Sequence, residues 1–89
     1  MIGRKVRLFG RVQGVFFRQW TIDQARRLKV AGWIHNRRDG SLEAHLEGDE
    51  AAVKELTEQM RSGPSQARVD DMMIDEAEVA DIKGFAVRL

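Results

Sequence analysis

The sequence has no cysteine and only two histidines, His35 and His45. The first absence excludes a disulfide scaffold, a thiolate nucleophile and a thiolate-bound metal. The second leaves little from which to build a zinc site. One proline and eight glycines among 89 residues exclude a disordered or collagen-like chain. No run approaches the roughly 18 apolar residues of a membrane span. Basic and apolar residues alternate from Met1 to Phe9, so this N-terminus does not read as a signal peptide. A chain this short buries about 60–65% of the surface its unfolded form exposes, enough for one domain over residues 1–89 with a small core. The expectation is a cytoplasmic protein that needs neither metal nor cofactor.

What is present is charge, unevenly placed. Residues 1–38 carry ten Lys/Arg and one acid, Asp23, a net of +9. Residues 39–89 carry five Lys/Arg and thirteen acids, a net of −8. Either the halves neutralise each other on the surface, or an anion is met by N-terminal residues.

Period-two alternation from Lys5 to Val12 predicts a strand with Val6, Leu8 and Val12 on one face. Phe17, Thr21, Ala25 and Leu28 form a helical stripe within 17–30. Thr21 with Gln24 fits a weak capping box, which would start the helix between Arg18 and Thr21 and stop it at Ala31-Gly32. Asp39-Gly40 between Trp33–Arg37 and Ser41–Glu47 predicts a hairpin with both turn residues at positive φ. In its second strand Leu42, Ala44 and Leu46 point in, and Glu43, His45 and Glu47 point out. A second helix over 50–61, with Asp49 as N-cap, buries Val53, Leu56 and Met60. Ser62 to Ser65 breaks it. A strand at 68–78 carries Val69, Met72 and Ile74, and Phe85, Val87 and Leu89 alternate in a last short strand. The order is that of an α+β sandwich, with two helices on one face of an antiparallel sheet of four to five strands, βαββαβ.

The chemistry concentrates in Gly10-Arg11-Val12-Gln13-Gly14-Val15-Phe16-Phe17-Arg18. A strand ends, a glycine-bearing loop follows, and a helix begins. Free N–H groups at a helix start, the positive end of its dipole and a loop open at Gly14 make an anion cradle. Arg18 adds a planar fork of donors suited to phosphate or carboxylate. The loop is neither a nucleotide P-loop nor a dinucleotide fingerprint. With no thiol to attack, water is the nucleophile that fits a bound phosphoryl group. On local pattern alone, the same residues also fit a tight turn with a surface cation.

The block resembles the acylphosphatase family's G-x-V-Q-G-V-x-F-R signature at every fixed position. Gly32 to Glu43 is similar to the family's G-W-V-x-N-x-x-D-G-x-V-E, and Phe85 to Arg88 looks like its closing strand. The resemblance spans nearly the whole chain. It implies a ferredoxin-like sandwich that hydrolyses the carboxyl–phosphate bond of acyl phosphates, with phosphate or sulfate as a site ligand. It further implies that Arg18 and the loop Val12, Gln13, Gly14, Val15, Phe16 and Phe17 bind the phosphoryl group, and that Asn36 holds the attacking water. An acyl phosphate has a weakly basic leaving group, so positioning and charge stabilisation suffice. His35 stands where the family more often has Arg, Lys or Gln, and reads as a solvated strand residue. Lys29 stands where the family commonly has glycine.

The alternative is a non-catalytic ferredoxin-like module binding RNA or protein. Lys83-Gly84-Phe85-Ala86 resembles the start of an RNA-binding motif, but Val87, Arg88 and Leu89 replace the aromatics it requires, which disfavours a nucleic-acid partner. No pocket for the acyl group is legible, and a monomer is the default.

Overall fold

Val6 and Leu8 alternate with Lys5 and Arg7, and the chain from Ile2 to Arg11 forms strand β1 in a computed structural model that describes residues 1–88. There follow α1 (Phe17–Leu28), β2 (Ala31–Asn36), β3 (Leu42–Gly48), α2 (Glu50–Met60), β4 (Arg68–Ala77) and β5 (Phe85–Val87). The sheet order is β4-β1-β3-β2-β5. Inward residues of β1, β2 and β3 meet Phe17, Ile22 and Ala25 of α1 and Val53, Leu56 and Met60 of α2 in one core. Each fully buried Leu, Ile or Phe there contributes about 1.5–3 kcal/mol.

The expected sandwich is present, with differences that have physical causes. Four strands pair antiparallel, but β5 lies parallel to β2. Strand β4 occupies one edge of the sheet and β5 the other, so the link 78–84 must cross the sheet, and a hairpin return is impossible. The link crosses the face away from the helices, where the N–H groups of Ala80 and Ile82 donate to Glu47. Glu47 is consequently buried rather than solvated, and Glu43 is buried too, among Lys5, His35 and Arg37.

Helix α1 starts at Phe17, with Phe16 at the N-cap in the left-handed region and no side-chain cap. Thr21 is no cap: it is buried, and its hydroxyl donates to the Phe17 carbonyl at 2.9 Å. The helix stops at a left-handed Lys29, and Ala31-Gly32 belong to β2. Asp49 is the N-cap residue of α2, without a side-chain hydrogen bond. The hairpin turn closes from the Arg37 carbonyl to the Gly40 N–H at 3.1 Å; Gly40 alone has positive φ, so Asp39 sits in a turn longer than the two-residue form. Ile74 is exposed on edge strand β4. Leu89 lies outside the described residues.

Candidate active site

The loop after β1 is built by its apolar side chains. Val12, Val15 and Phe17 turn into the core, and each is almost wholly buried. That leaves the backbone at Gly14 and Phe16 facing outward. Gly14 has φ 72° and Phe16 has φ 64°, with Val15 between them on the negative side. Such alternation points successive N–H groups into one concavity. A Cβ at Gly14 would meet no atom within 4 Å, so the approach to the concavity is open.

The donors there are unused. The first backbone bond of the helix runs from the Trp20 N–H to the Phe16 carbonyl at 3.0 Å. Among the described residues, no backbone N–H from Gly14 to Gln19 donates to a protein acceptor. The first turn of α1 holds no acid. Arg18 is half-buried and lines the same cleft of about 370 Å³, walled also by Phe16, Gln19 and Val87. Its guanidinium has no ion pair among the described residues. The cleft thus offers a helix dipole, free amides and a free cation to an anion.

Asn36 reaches this region through the sheet. Strands β1 and β2 both run antiparallel to β3, so they end at the same edge. Leu42 pairs with Leu8 on one side and Asn36 on the other. Two strand spacings, about 10 Å, therefore separate Asn36 from Leu8, and β1 runs three residues further to Arg11 before the loop begins. Asn36 shares the helix-side face with buried Ile34, whereas His35 points the other way and meets Glu43 at 3.0 Å. The Oδ1 atom of Asn36 is buried and has no protein partner. A second depression of about 460 Å³, lined by His35, Asn36, Arg37, Arg38 and Asp39, adjoins that edge.

Gln13 has a role that its place in the signature does not reveal. Its side-chain amide donates to the Arg37 carbonyl at 2.8 Å and the Ser41 carbonyl at 3.0 Å. The loop is thereby tied to both sides of the hairpin turn, one residue from Asn36. Val12, Val15 and Phe17 offer the cradle backbone alone, and Gln13 turns its side chain away from it. A lone amide in an otherwise apolar loop is the only signal in the sequence for this strut.

Neighbouring acids are neutralised. Asp39 accepts from the Ser41 hydroxyl and N–H, which hold its carboxyl below the usual range, aided by the charges of Arg7 and Arg37. Burial pushes the Glu43 carboxyl up, but the His35 bond with the charges of Lys5 and Arg37 outweighs it and holds the carboxyl low. Lys5, Arg7 and Arg37, three of the ten cations of the first half, thus pair with acids of the other half of the chain. Arg18 is among the cations left without such a pair among the described residues. Among the described residues, no three His, Asp or Glu side chains cluster as metal ligands.

The acylphosphatase family model matches residues 4–87. The chain belongs to the acylphosphatase family. An acylphosphatase from Acidiphilium cryptum is 49% identical over 88 residues, covering 99% of this chain and 97% of that one. One from Rhodospirillum rubrum is 46% identical over 81 residues, covering 91% and 89%. The crystal structure of the Bacillus subtilis acylphosphatase superposes with a TM-score of 0.97 at 32% identity, covering 100% of both chains. The protein is therefore a hydrolase of small acyl phosphates. The non-catalytic alternative has no support, and Phe85 of the RNA-like tetrapeptide is buried in the core, where it cannot stack on a base.

Proposed function

We propose that the phosphoryl group of the acyl phosphate binds the N–H groups of the 12–18 loop and the Arg18 guanidinium, and that Asn36 holds the attacking water. The observation that carries this reading is the pairing of unused donors at Gly14–Gln19 with an unpartnered, buried Oδ1 on Asn36. A buried amide oxygen without a partner costs about 1–3 kcal/mol, and a water that donates to it removes that cost. The water oxygen forms a bond to phosphorus as the bond from phosphorus to the acyl oxygen breaks. The carboxylate leaves with the electron pair, and the water's proton passes to a phosphoryl oxygen. Arg18 and the amides stabilise the charge spread over the equatorial oxygens. No metal or cofactor takes part, and inorganic phosphate or sulfate occupies the same cradle. Residues 1–89 act as one domain, monomeric and cytoplasmic.

The test is turnover of acetyl phosphate with chelator present, for the wild type, Arg18→Ala and Asn36→Ala. Each variant should lose at least about a hundredfold, the scale of losing one preorganised donor. Phosphate should raise the melting temperature of the wild type more than that of Arg18→Ala, because only the intact cradle binds it. Equal activity in all three proteins would overturn the assignment.

A further inference from the structure

Gln13 lies where the sheet has come apart. Pairing between β1 and β3 ends at Leu8 and Leu42, whereas β1 stays paired with β4 through a bulge between Phe9 and Gly10 and on to Arg11. The chain therefore enters the loop in register with the edge strand β4. Asn36 is in register with β3, through its pairing with Leu42. The cradle and Asn36 thus hang from different strands. Beyond Leu8, no ladder pair among the described residues fixes one against the other.

The Gln13 amide closes that gap. Both of its N–H bonds are used, one to the Arg37 carbonyl at 2.8 Å and one to the Ser41 carbonyl at 3.0 Å. The same carbonyls accept the bonds that shape the hairpin, from the Gly40 N–H at 3.1 Å and the Arg37 N–H at 2.8 Å. The planar amide therefore grips the two sides of one closed turn, and the residue before Arg37 is Asn36. Among the described residues, no other hydrogen bond joins residues 12–16 to the hairpin. One bond would let the loop pivot about it. Two bonds from a rigid fork to a rigid turn fix both distance and angle.

We infer that Gln13 is a positioning residue for the hydrolysis. It sets the cradle against Asn36 so that the water stands in line with the bond that breaks, and it acts on the rate through Asn36. The inference rests on the site proposed above. In-line attack tolerates little misplacement, and a shift of about 1 Å costs about a hundredfold. The grip on the phosphoryl group depends on Gln13 far less, because the unused N–H groups from Gly14 to Gln19 and the Arg18 guanidinium belong to one continuous stretch that moves together.

The experiment measures kcat for acetyl phosphate and inhibition by inorganic phosphate in the wild type, Gln13→Met, Gln13→Asn, Asn36→Ala and the double variant Gln13→Met/Asn36→Ala. Methionine keeps the length of the side chain and removes both donors. Each carbonyl keeps its hairpin N–H, so the substitution leaves neither without a partner. Asparagine keeps the amide but shortens its reach by one methylene. With Asn36 present, Gln13→Met should lower kcat about tenfold or more, and Gln13→Asn by a smaller factor. The inhibition constant of phosphate should shift by less than about threefold, which separates the rate from the grip. With Asn36 already replaced, Gln13→Met should cost less than about twofold more, because no held water remains to be misplaced. Phosphate should still raise the melting temperature of Gln13→Met; loss of that rise would mean that the side chain maintains the cradle itself, and would overturn the inference. A wild-type kcat in Gln13→Met, or the same fold loss with and without Asn36, would also overturn it, while a hundredfold loss in Asn36→Ala leaves the site standing. Full activity of Asn36→Ala would overturn the site, and the inference with it.

Discussion

Two polar regions of this small protein sit within a few strands of each other and are finished in opposite ways. At the end of β1 and β2, backbone donors from Gly14 to Gln19, the Arg18 guanidinium and the Asn36 Oδ1 have no protein partner among the described residues. Behind the sheet, Glu47 is 1% exposed, yet His45 Nε2 at 2.6 Å and the N–H groups of Ala80 at 2.8 Å and Ile82 at 2.6 Å surround its carboxylate. One region holds its hydrogen-bonding capacity open, and the other closes it completely. An unfilled set of donors is costly unless a ligand fills it, whereas a filled one fixes the chain path. The first pattern marks binding and the second marks architecture.

The sharpest way to break this contrast is at Glu47. Replacing it by alanine leaves the Ala80 and Ile82 N–H groups and His45 without this acceptor and frees the 78–84 link. Glu47→Ala should cost about 3–5 kcal/mol, read as a fall in the urea midpoint. The protein that remains folded should keep its acetyl phosphate turnover. Loss of turnover without loss of stability would put Glu47 in the catalytic region and erase the distinction.

Arg18→Ala and Asn36→Ala should behave in the mirror image. A hundredfold loss of turnover corresponds to about 2.7 kcal/mol of transition-state stabilisation. Neither change removes a bond within the protein, so unfolding free energies should stay within about 0.5 kcal/mol of the wild type. A large stability loss in Asn36→Ala would mean that its side chain has a structural partner.

Acid should separate the same two regions. Burial raises the Glu47 carboxyl, but the His45 bond and the two backbone N–H groups outweigh it, so the carboxyl is held below its usual range. The Glu43 carboxyl is held low as well. A glutamate titrates near 4.3 in an unfolded chain, so the unfolded state takes up protons first as pH falls. The stabilisation is whole above that value and is lost as pH drops through the lower folded values. Urea midpoints should therefore decline below about pH 4, and less steeply in Glu47→Gln. Turnover between about pH 6 and 8 should be flat, because the proposed chemistry uses no side chain as general acid or base.

The same division explains what could be read before folding. Period two in β1 and β3 and the stripes of both helices are local, so Val6, Leu8, Leu42, Leu46, Leu56 and Met60 are all buried as the pattern requires. The loop with its unused N–H groups is local in the same way: a glycine, a helix start and Arg18 are neighbours in sequence. Alternation shows which way Glu47 points, but not that a segment more than thirty residues later covers it. The Gln13 bonds to the hairpin carbonyls are equally non-local. The N-terminal cap of α1 was misplaced because a phenylalanine in the left-handed region gives no propensity signal.

The smallest effect concerns the two ends of α1. Phe16 at its start and Lys29 at its end, φ 59° and ψ 39°, are both left-handed residues with a Cβ. At Lys29 the conformation serves only to stop the helix: its N–H reaches the Arg26 carbonyl at 3.3 Å, and the Val30 N–H reaches the Ala25 carbonyl at 2.8 Å. Glycine should relieve about 1 kcal/mol there. Losing a lysine charge beside the helix C-terminus costs about 0.3 kcal/mol or a little more, since Arg26 and Arg27 remain in the last turn. Lys29→Gly should therefore stabilise the protein by about 0.5 kcal/mol and leave acetyl phosphate turnover untouched. Phe16→Gly relieves the same kind of strain but should lower acetyl phosphate turnover, because glycine frees the loop that carries the unused N–H groups from Gly14 to Gln19.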